Sequence, residues 1–240
     1  MKPETAQPTP SDPALLILID KPLEWTSFDV VNKIRRACKF KKIGHAGTLD
    51  PLATGLLILC SGKKTKEIDQ YQAQEKEYTG TLVLGRTTPS VDLETEFDAE
   101  FDTAGITPEQ VQEVVKQLTG EIQQIPPIYS AVRVNGERLY EKARRGETTE
   151  IKSRVVTVSE FELDTSRVGT EPFPEISFRI VCSKGTYIRS LVRDLGLLLN
   201  NGAYMSSLRR TRIGQYRIDE AYTVEGFINR FQEVASHFKG

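Results

Sequence analysis

Residues 44–55 read Gly44-His45-Ala46-Gly47-Thr48-Leu49-Asp50-Pro51-Leu52-Ala53-Thr54-Gly55, and the apolar run Leu56-Leu57-Ile58-Leu59-Cys60 follows at once. Three glycines in twelve positions allow unusual backbone angles and close approach of a ligand. The run after them has the length and composition of a strand buried on both faces. This is none of the common glycine-rich loops. The chain has no Gly-x-x-x-x-Gly-Lys followed by Ser or Thr, no Gly-x-Gly-x-x-Gly after a strand and no Gly-x-Ser-x-Gly.

Working outward, Leu15-Leu16-Ile17-Leu18-Ile19 predicts an earlier strand buried on both faces. Thr26-Ser27 is an N-cap for a helix whose Phe28, Val31, Ile34 and Cys38 share one face. Helical spacing runs from about Lys64 to Gln74, and Tyr78 to Leu84 has strand composition. Thr107-Pro108-Glu109-Gln110 is a capping-box helix start, closed by Gly120. Ile128 to Val134 before Asn135-Gly136 predicts a hairpin. Strands follow at Val155–Leu163 and Ile176–Cys182, a helix from about Tyr187 to Leu199, closing strands at Tyr204–Ile213 and Gln215–Ile218, and a short helix capped by Thr223. Strands mixed with helices, without a regular βαβ rhythm, predict an α+β fold.

The chain has 240 residues, of which 38% are apolar and 27% charged, with a formal net charge of −1. That is long enough for a sizeable core and excludes wholesale disorder. The balance hides a division. Residues 33–66 carry nine Lys/Arg against one acid, or +8, and residues 67–125 carry three against thirteen, or −10. Residues 126–154 come to +3 and residues 184–217 to +6. Three basic blocks around an acidic insert suit a phosphate backbone, or else form ordinary solvated faces. Cys38, Cys60 and Cys182 are too few and too scattered for a disulfide framework or a zinc knuckle. Residues 1–13, with four prolines, read as a frayed leader without the features of a signal peptide.

Asp50 and His45 are the residues of the glycine-rich block able to act as nucleophile, acid or base. The pattern also offers plainer roles. Asp before Pro is a natural helix N-cap, and two histidines in the chain do not build a zinc site. No second carboxylate stands at fixed spacing from Asp50, and the acidic run Asp92 to Asp98 reads as a solvated edge.

Read together, Asp20-Lys21-Pro22, Trp25-Thr26-Ser27 and the Gly-His-x-Gly-Thr-Leu-Asp-Pro-x-Ala-x-Gly block closely resemble the tRNA pseudouridine synthase B (TruB) family in order and spacing. The resemblance continues through Lys76-Glu77-Tyr78, Pro126-Pro127-Ile128-Tyr129-Ser130-Ala131, Cys182-Ser183-Lys184-Gly185-Thr186-Tyr187-Ile188-Arg189 and Leu208-Arg209-Arg210-Thr211, covering about residues 15–217. It implies a pseudouridine-synthase-like, mainly antiparallel central sheet flanked by helices. It also implies isomerisation of uridine-55 to pseudouridine in the tRNA TΨC arm, without cofactor or metal. Asp50 maps to the nucleophile, Arg189 to its arginine partner, and Tyr78 to the residue stacked on a flipped base. His45, Tyr187 and Leu208 map to substrate-contacting positions.

A segment at about 126–152 resembles the family's RNA-gripping insertion, where Arg133, Arg138, Lys142, Arg144 and Arg145 suit phosphate contacts. Arg209 and Arg210, with Arg212, extend that track. Longer family members carry a C-terminal RNA-binding domain, for which this chain leaves no room after its last strand. The expectation is a single catalytic domain over 14–240, a cytoplasmic monomer acting on a TΨC stem-loop with no membrane or obligate protein partner. Two alternatives remain: an RNA-folding or RNA-binding protein of the same fold, and a synthase acting on ribosomal RNA.

Overall fold

The computed structural model describes residues 12–130, 133–134, 137–139, 145–146 and 151–237. In chain order its strands are β1 (Leu16–Lys21), β2 (Ile43–Ala46), β3 (Ala53–Ser61), β4 (Lys76–Leu84), β5 (Arg86–Thr87), β6 (Ala99–Glu100), β7 (Gly120–Gln124), β8 (Arg133–Val134), β9 (Glu137–Arg138), β10 (Arg154–Leu163), β11 (Glu175–Cys182), β12 (Ala203–Ile213) and β13 (Tyr216–Arg217). The helices are α1 (Ser27–Cys38), α2 (Ile68–Gln72), α3 (Pro108–Gln117), α4 (Ile188–Leu198) and α5 (Val224–His237). Mainly antiparallel strands mixed with helices bear out the α+β class. Contacts divide the chain into two compact units, one joining the residues up to Gln74 with those from Arg212 on, the other spanning Glu75–Thr211.

In the first unit β3 pairs antiparallel with β1 (Leu16↔Cys60 through Lys21↔Gly55) and with β2 (Ile43↔Ser61 through Ala46↔Ile58). Its unbroken apolar run has a direct cause. Leu57 and Leu59 join Ile17, Ile19, Val30, Val31 and Ile34 in one cluster, with Val224, Phe227 and Ile228 of α5. Leu56, Ile58 and Cys60 join Ala46, Tyr71 and Ile213 in another. Alternate residues of a strand point to opposite faces, so a strand with a core on each side is apolar at every position. Each such Leu or Ile contributes roughly 1.5–3 kcal/mol of burial.

Helix α1 starts as expected. Thr26 Oγ1 accepts the Asp29 N–H (3.0 Å), and Asp29 returns the contact to the Thr26 N–H (2.9 Å). Its buried face is Val30, Val31, Ile34 and Cys38, whereas Phe28 is 66% exposed. At 100° per residue Phe28 lies about 100° round from the centre of that face, so the spacing placed it wrongly. β1 also differs from expectation. Ile17, Ile19 and Lys21 are buried and the residues between them half-buried, so it alternates instead of burying both faces. The segment expected as one helix from about 64 to 74 is a 3-10 turn over Gly62–Glu67 followed by α2.

In the second unit the strand order is β12-β4-β11-β10-β7. β4, β11, β10 and β7 pair antiparallel in turn, with Lys76↔Cys182, Val158↔Cys182 and Arg154↔Gln124 in register. α3 keeps its capping box on Thr107 and Gln110 but ends at Leu118, and Gly120, at φ +93°, opens β7. The expected hairpin is present as β8 and β9, paired Arg133↔Arg138 and Val134↔Glu137, with Asn135 and Gly136 outside the described residues.

Candidate active site

In the first unit Asp50 sits between β2 and β3, half-buried, with no helix behind it. Its carbonyl accepts the Ala53 N–H at 3.0 Å, closing a tight turn through Pro51 and Leu52 into β3. The helix-cap reading of Asp-Pro is thereby corrected: the chain bends into a strand, and the carboxylate caps no helix.

Two residues of the upstream motifs pin this turn. Ser27, buried at the start of α1, accepts the Leu49 N–H on Oγ (2.8 Å) and donates back to the Leu49 carbonyl (3.2 Å). Lys21 is fully buried, and its ammonium donates to the carbonyls of Pro22 (2.9 Å), Trp25 and Pro51 (3.3 Å). The Glu24 N–H reaches the same Pro51 carbonyl at 2.9 Å. The motifs Asp20-Lys21-Pro22, Trp25-Thr26-Ser27 and Leu49-Asp50-Pro51 thus form one hydrogen-bonded assembly, a linkage that sequence spacing did not reveal. Lys21→Met keeps the stem but strips a charged donor from three carbonyls. A loss of about 2–3 kcal/mol is expected in urea unfolding. An unchanged midpoint would show that the ammonium does not hold the turn.

His45 lies in β2, half-buried opposite Leu59, and Gly47 beyond it takes φ +84°, a conformation that favours glycine.

In the second unit the other expected residues lie on β4, on β12 and at the start of α4. Tyr78 is buried on β4 opposite Ile180, and Lys76, two residues away, shares its face. Leu208 and Arg210 alternate likewise along β12 and are both buried. Burial, with the Arg210 charge next in importance, pushes the Lys76 amine down to about 8. Burial pushes the Cys182 thiol, opposite Lys76, up to about 11. The reverse face carries Glu77, whose carboxylate accepts from Thr211 Oγ1 (2.7 Å) and from Arg179 (2.8 Å).

Arg210 is 1% exposed, which corrects its expected place on a surface phosphate track. A guanidinium buried in β12 presents no face to an RNA backbone. Arg209 beside it is half-exposed, as a contact residue must be. Arg145 is exposed and paired with Glu137 at 2.9 Å. Arg133 and Arg138 lie on the β8–β9 hairpin, while Lys142 and Arg144 fall outside the described residues.

Arg189 stands in the first turn of α4 and is buried. Its Nη1 donates to the Ser90 carbonyl (3.0 Å), its Nη2 to the Tyr129 carbonyl (2.7 Å), and its Nε lies 3.6 Å from Asp92 Oδ2. Asp92 is 3% exposed, so the reading of the acidic run as a solvated edge fails at its first residue. Its loop is closely held: the Asp92 carbonyl accepts from Thr88 Oγ1 (2.6 Å) and Ser90 Oγ (3.2 Å), and Asp92 Oδ1 accepts the Glu94 N–H (3.0 Å). Val91 sits at φ +63°, a strained setting for a β-branched residue, and its carbonyl accepts the Met205 N–H at 2.9 Å.

Tyr187, the residue before α4, is fixed by fully buried Gln124. Gln124 Oε1 accepts the Tyr187 N–H (2.8 Å), and Nε2 donates to the Tyr187 carbonyl (3.1 Å). Sequence reading quoted Lys21 and Lys76 only within motifs, without a role, and gave no site role to Asp92 or Gln124.

Comparison with known proteins follows the same residues. A model described as the N-terminal domain of the TruB family of pseudouridylate synthases matches residues 35–188. A second, described as the tRNA pseudouridylate synthase B C-terminal domain, matches residues 189–236. The tRNA pseudouridine synthase B of Flavobacterium johnsoniae is 53% identical over 224 residues, covering 90% of this chain and 96% of that protein. The protein of the same name from Phocaeicola vulgatus is 51% identical over 218 residues, covering 88% and 91%. Among solved structures, a chain of a Cbf5-Nop10-Gar1 complex aligns with TM-score 0.66 at 30% identity, over 89% of this chain and 53% of that one. A chain from an H/ACA RNP bound to a substrate RNA containing 2′-deoxyuridine aligns with TM-score 0.66 at 26% identity, over 98% and 62%. The present chain spans between half and two thirds of those two solved chains.

Proposed function

The chain belongs to the TruB family of pseudouridylate synthases, and from that premise we propose that Asp50 is the nucleophile with which it isomerises uridine-55 of tRNA to pseudouridine. The observation that carries this reading is the anchored Asp50 turn. Lys21 and Ser27 hold its neighbours on both sides, and its carbonyl, not its carboxylate, closes the turn. The residue is thus carried on a rigid support.

The reaction needs such a group. The N1–C1′ bond breaks, the detached uracil turns, C5 bonds to C1′, and the C5 proton leaves while N1 gains one. A flipped uridine offers a carboxylate two electrophiles, the ribose C1′ and the electron-poor C6 of the ring. In either case the carboxylate attacks and later departs, so it is regenerated each turnover. A base within a stacked loop is out of reach, so the nucleotide enters the pocket flipped.

Arg189 is proposed as the cation that offsets desolvation of Asp50, and Asp92 as the carboxylate that orients Arg189. Tyr78 stacks on the base, with Tyr187, His45 and Leu208 lining the pocket. Arg133, Arg138, Lys142, Arg144, Arg145 and Arg209 take backbone phosphates of the TΨC stem-loop, by shape and charge rather than by base identity. The proposed setting is a monomer in the cytoplasm; the relatives' names support the tRNA substrate alone. Among the described residues no helix is long and apolar enough to cross a membrane.

The test follows the displaced C5 hydrogen. Unmodified tRNA, or a TΨC stem-loop, carrying 5-tritiated uridine should release one tritium per target uridine to water when mixed with the protein. No release would end the enzyme reading and leave RNA binding or folding in its place. Release from ribosomal RNA alone would move the target.

A further inference from the structure

Arg154 opens β10, where it is paired directly with Gln124 of β7. Opposed residues of an antiparallel pair project to the same face, and here both reach Tyr187. Gln124 grips the Tyr187 backbone through the two amide hydrogen bonds already described. Arg154 lays its guanidinium over the Tyr187 ring, with the guanidinium carbon 4.6 Å from the centroid. Gly185, at φ +81°, passes close beneath the same group: a Cβ there would stand 3.7 Å from Arg154 Nη1. The exposed Lys152 and Lys184 flank Arg154 and Gly185 in sequence and add positive charge.

The stacked guanidinium is incomplete. Among the described residues, its Nε and Nη2 are buried and neither makes a hydrogen bond. These two N–H groups point the same way along one edge of the fork, the edge that receives two oxygens of a phosphate or carboxylate in parallel. Buried polar groups in folded proteins are nearly always satisfied. Two adjacent open donors on one edge therefore mark a place for an acceptor that comes from outside the fold. Arg154 as a whole is half-exposed, so the rest of its side chain meets solvent, and the covered Nε–Nη2 edge has to be uncovered as RNA enters.

We propose that Arg154 is a phosphate-binding residue of the substrate site. Its Nε–Nη2 edge takes a backbone phosphate of the RNA next to the flipped uridine, while the Tyr187 ring keeps the fork in plane. The proposal rests on the reading of Tyr187 as a pocket residue.

The test compares wild type, Arg154→Met and Arg154→Lys for binding of TΨC stem-loop RNA across a salt series, with tritium release and thermal melting in parallel. Arg154→Met is expected to bind about tenfold more weakly at low salt, and the slope of log affinity against log salt should fall by about 0.7–0.9, the loss of one phosphate contact. Arg154→Lys should recover the slope but stay several-fold weak, because an ammonium has no fork. KM should rise more than kcat falls, and the melting temperature of Arg154→Met should drop little, since methionine keeps a contact on the Tyr187 ring and the two donors removed have no partner among the described residues. An unchanged affinity and slope would overturn the proposal. So would weaker binding at an unchanged slope with a lowered melting temperature, which would mean that Arg154 only packs on Tyr187. Failure of the enzyme reading appears separately, as absence of tritium release by the wild-type protein.

Discussion

Asp50→Asn should bind TΨC stem-loop RNA as tightly as the wild type and release no measurable tritium from it. Asparagine keeps the size of the side chain, and the turn is closed by the main-chain carbonyl of residue 50, so the local fold survives the change. What is lost is the anionic oxygen. A neutral amide is a poor nucleophile, and removing a nucleophile elsewhere costs on the order of 10⁴- to 10⁶-fold in kcat. Single-turnover tritium release with protein in excess over RNA reads the loss, and filter binding reads the retained affinity. A variant with a rate within tenfold of wild type would remove Asp50 from the chemistry. A variant inactive because it no longer binds RNA would instead make Asp50 a binding residue.

Arg189→Ala should be nearly as damaging to the rate and, unlike the first substitution, should also cost stability. The guanidinium satisfies the carbonyls of Ser90 and Tyr129 and faces Asp92 at 3.6 Å, with both charged side chains buried. Removing one partner of a buried pair leaves the other charge uncompensated, typically at about 3–5 kcal/mol. That is a large part of a domain's margin. The carboxylate of Asp50 would lose its proposed countercharge in the same step, and a fall in kcat on the order of 10²- to 10³-fold is expected.

Asp92→Asn separates the two effects. It keeps the shape, leaves both carbonyl contacts of Arg189 intact and removes only the anion that orients the guanidinium. Its rate should fall while its urea midpoint moves less than that of Arg189→Ala. Equal midpoint shifts with a wild-type rate in Asp92→Asn would confine Asp92 and Arg189 to a structural role.

The local signals of this chain were legible where a short-range rule decides the outcome. Thr26 and Thr107 cap their helices because the capping box is made within four residues. The run Leu56 to Cys60 is a doubly buried strand as read, whereas the same reading failed for Leu15 to Ile19, because what packs on each face of the sheet decides the burial. Asp50-Pro51 was ambiguous for the opposite reason. A helix cap and a turn begin alike, and the pairing of β3 with β1 and β2 settles which one forms.

Long-range burial was the part that could not be read. Asp92 lies among acidic residues whose composition signals solvent, yet Arg189, 97 positions along the chain, faces it inside the fold. Gln124 looks like an ordinary polar strand end until Tyr187 closes on its amide. Arg210 belongs to a basic run, Arg209-Arg210-Thr211-Arg212, that reads as uniformly exposed. The period of a strand divides that run, placing Arg210 with Leu208 on the buried face. Charge counted along a sequence therefore overstated the surface track by the residues whose side chains point inward.

The proposed chemistry requires the carboxylate of Asp50 to meet the reacting nucleotide. A crystal structure with a TΨC stem-loop carrying 5-fluorouridine at the target position tests it most directly. We expect the substituted uridine flipped out of the loop, its base against Tyr78, and an Asp50 carboxylate oxygen bonded to, or within about 3–3.5 Å of, C1′ or C6. An Asp50 side chain turned away from the sugar and base, with another group at that distance, would contradict it.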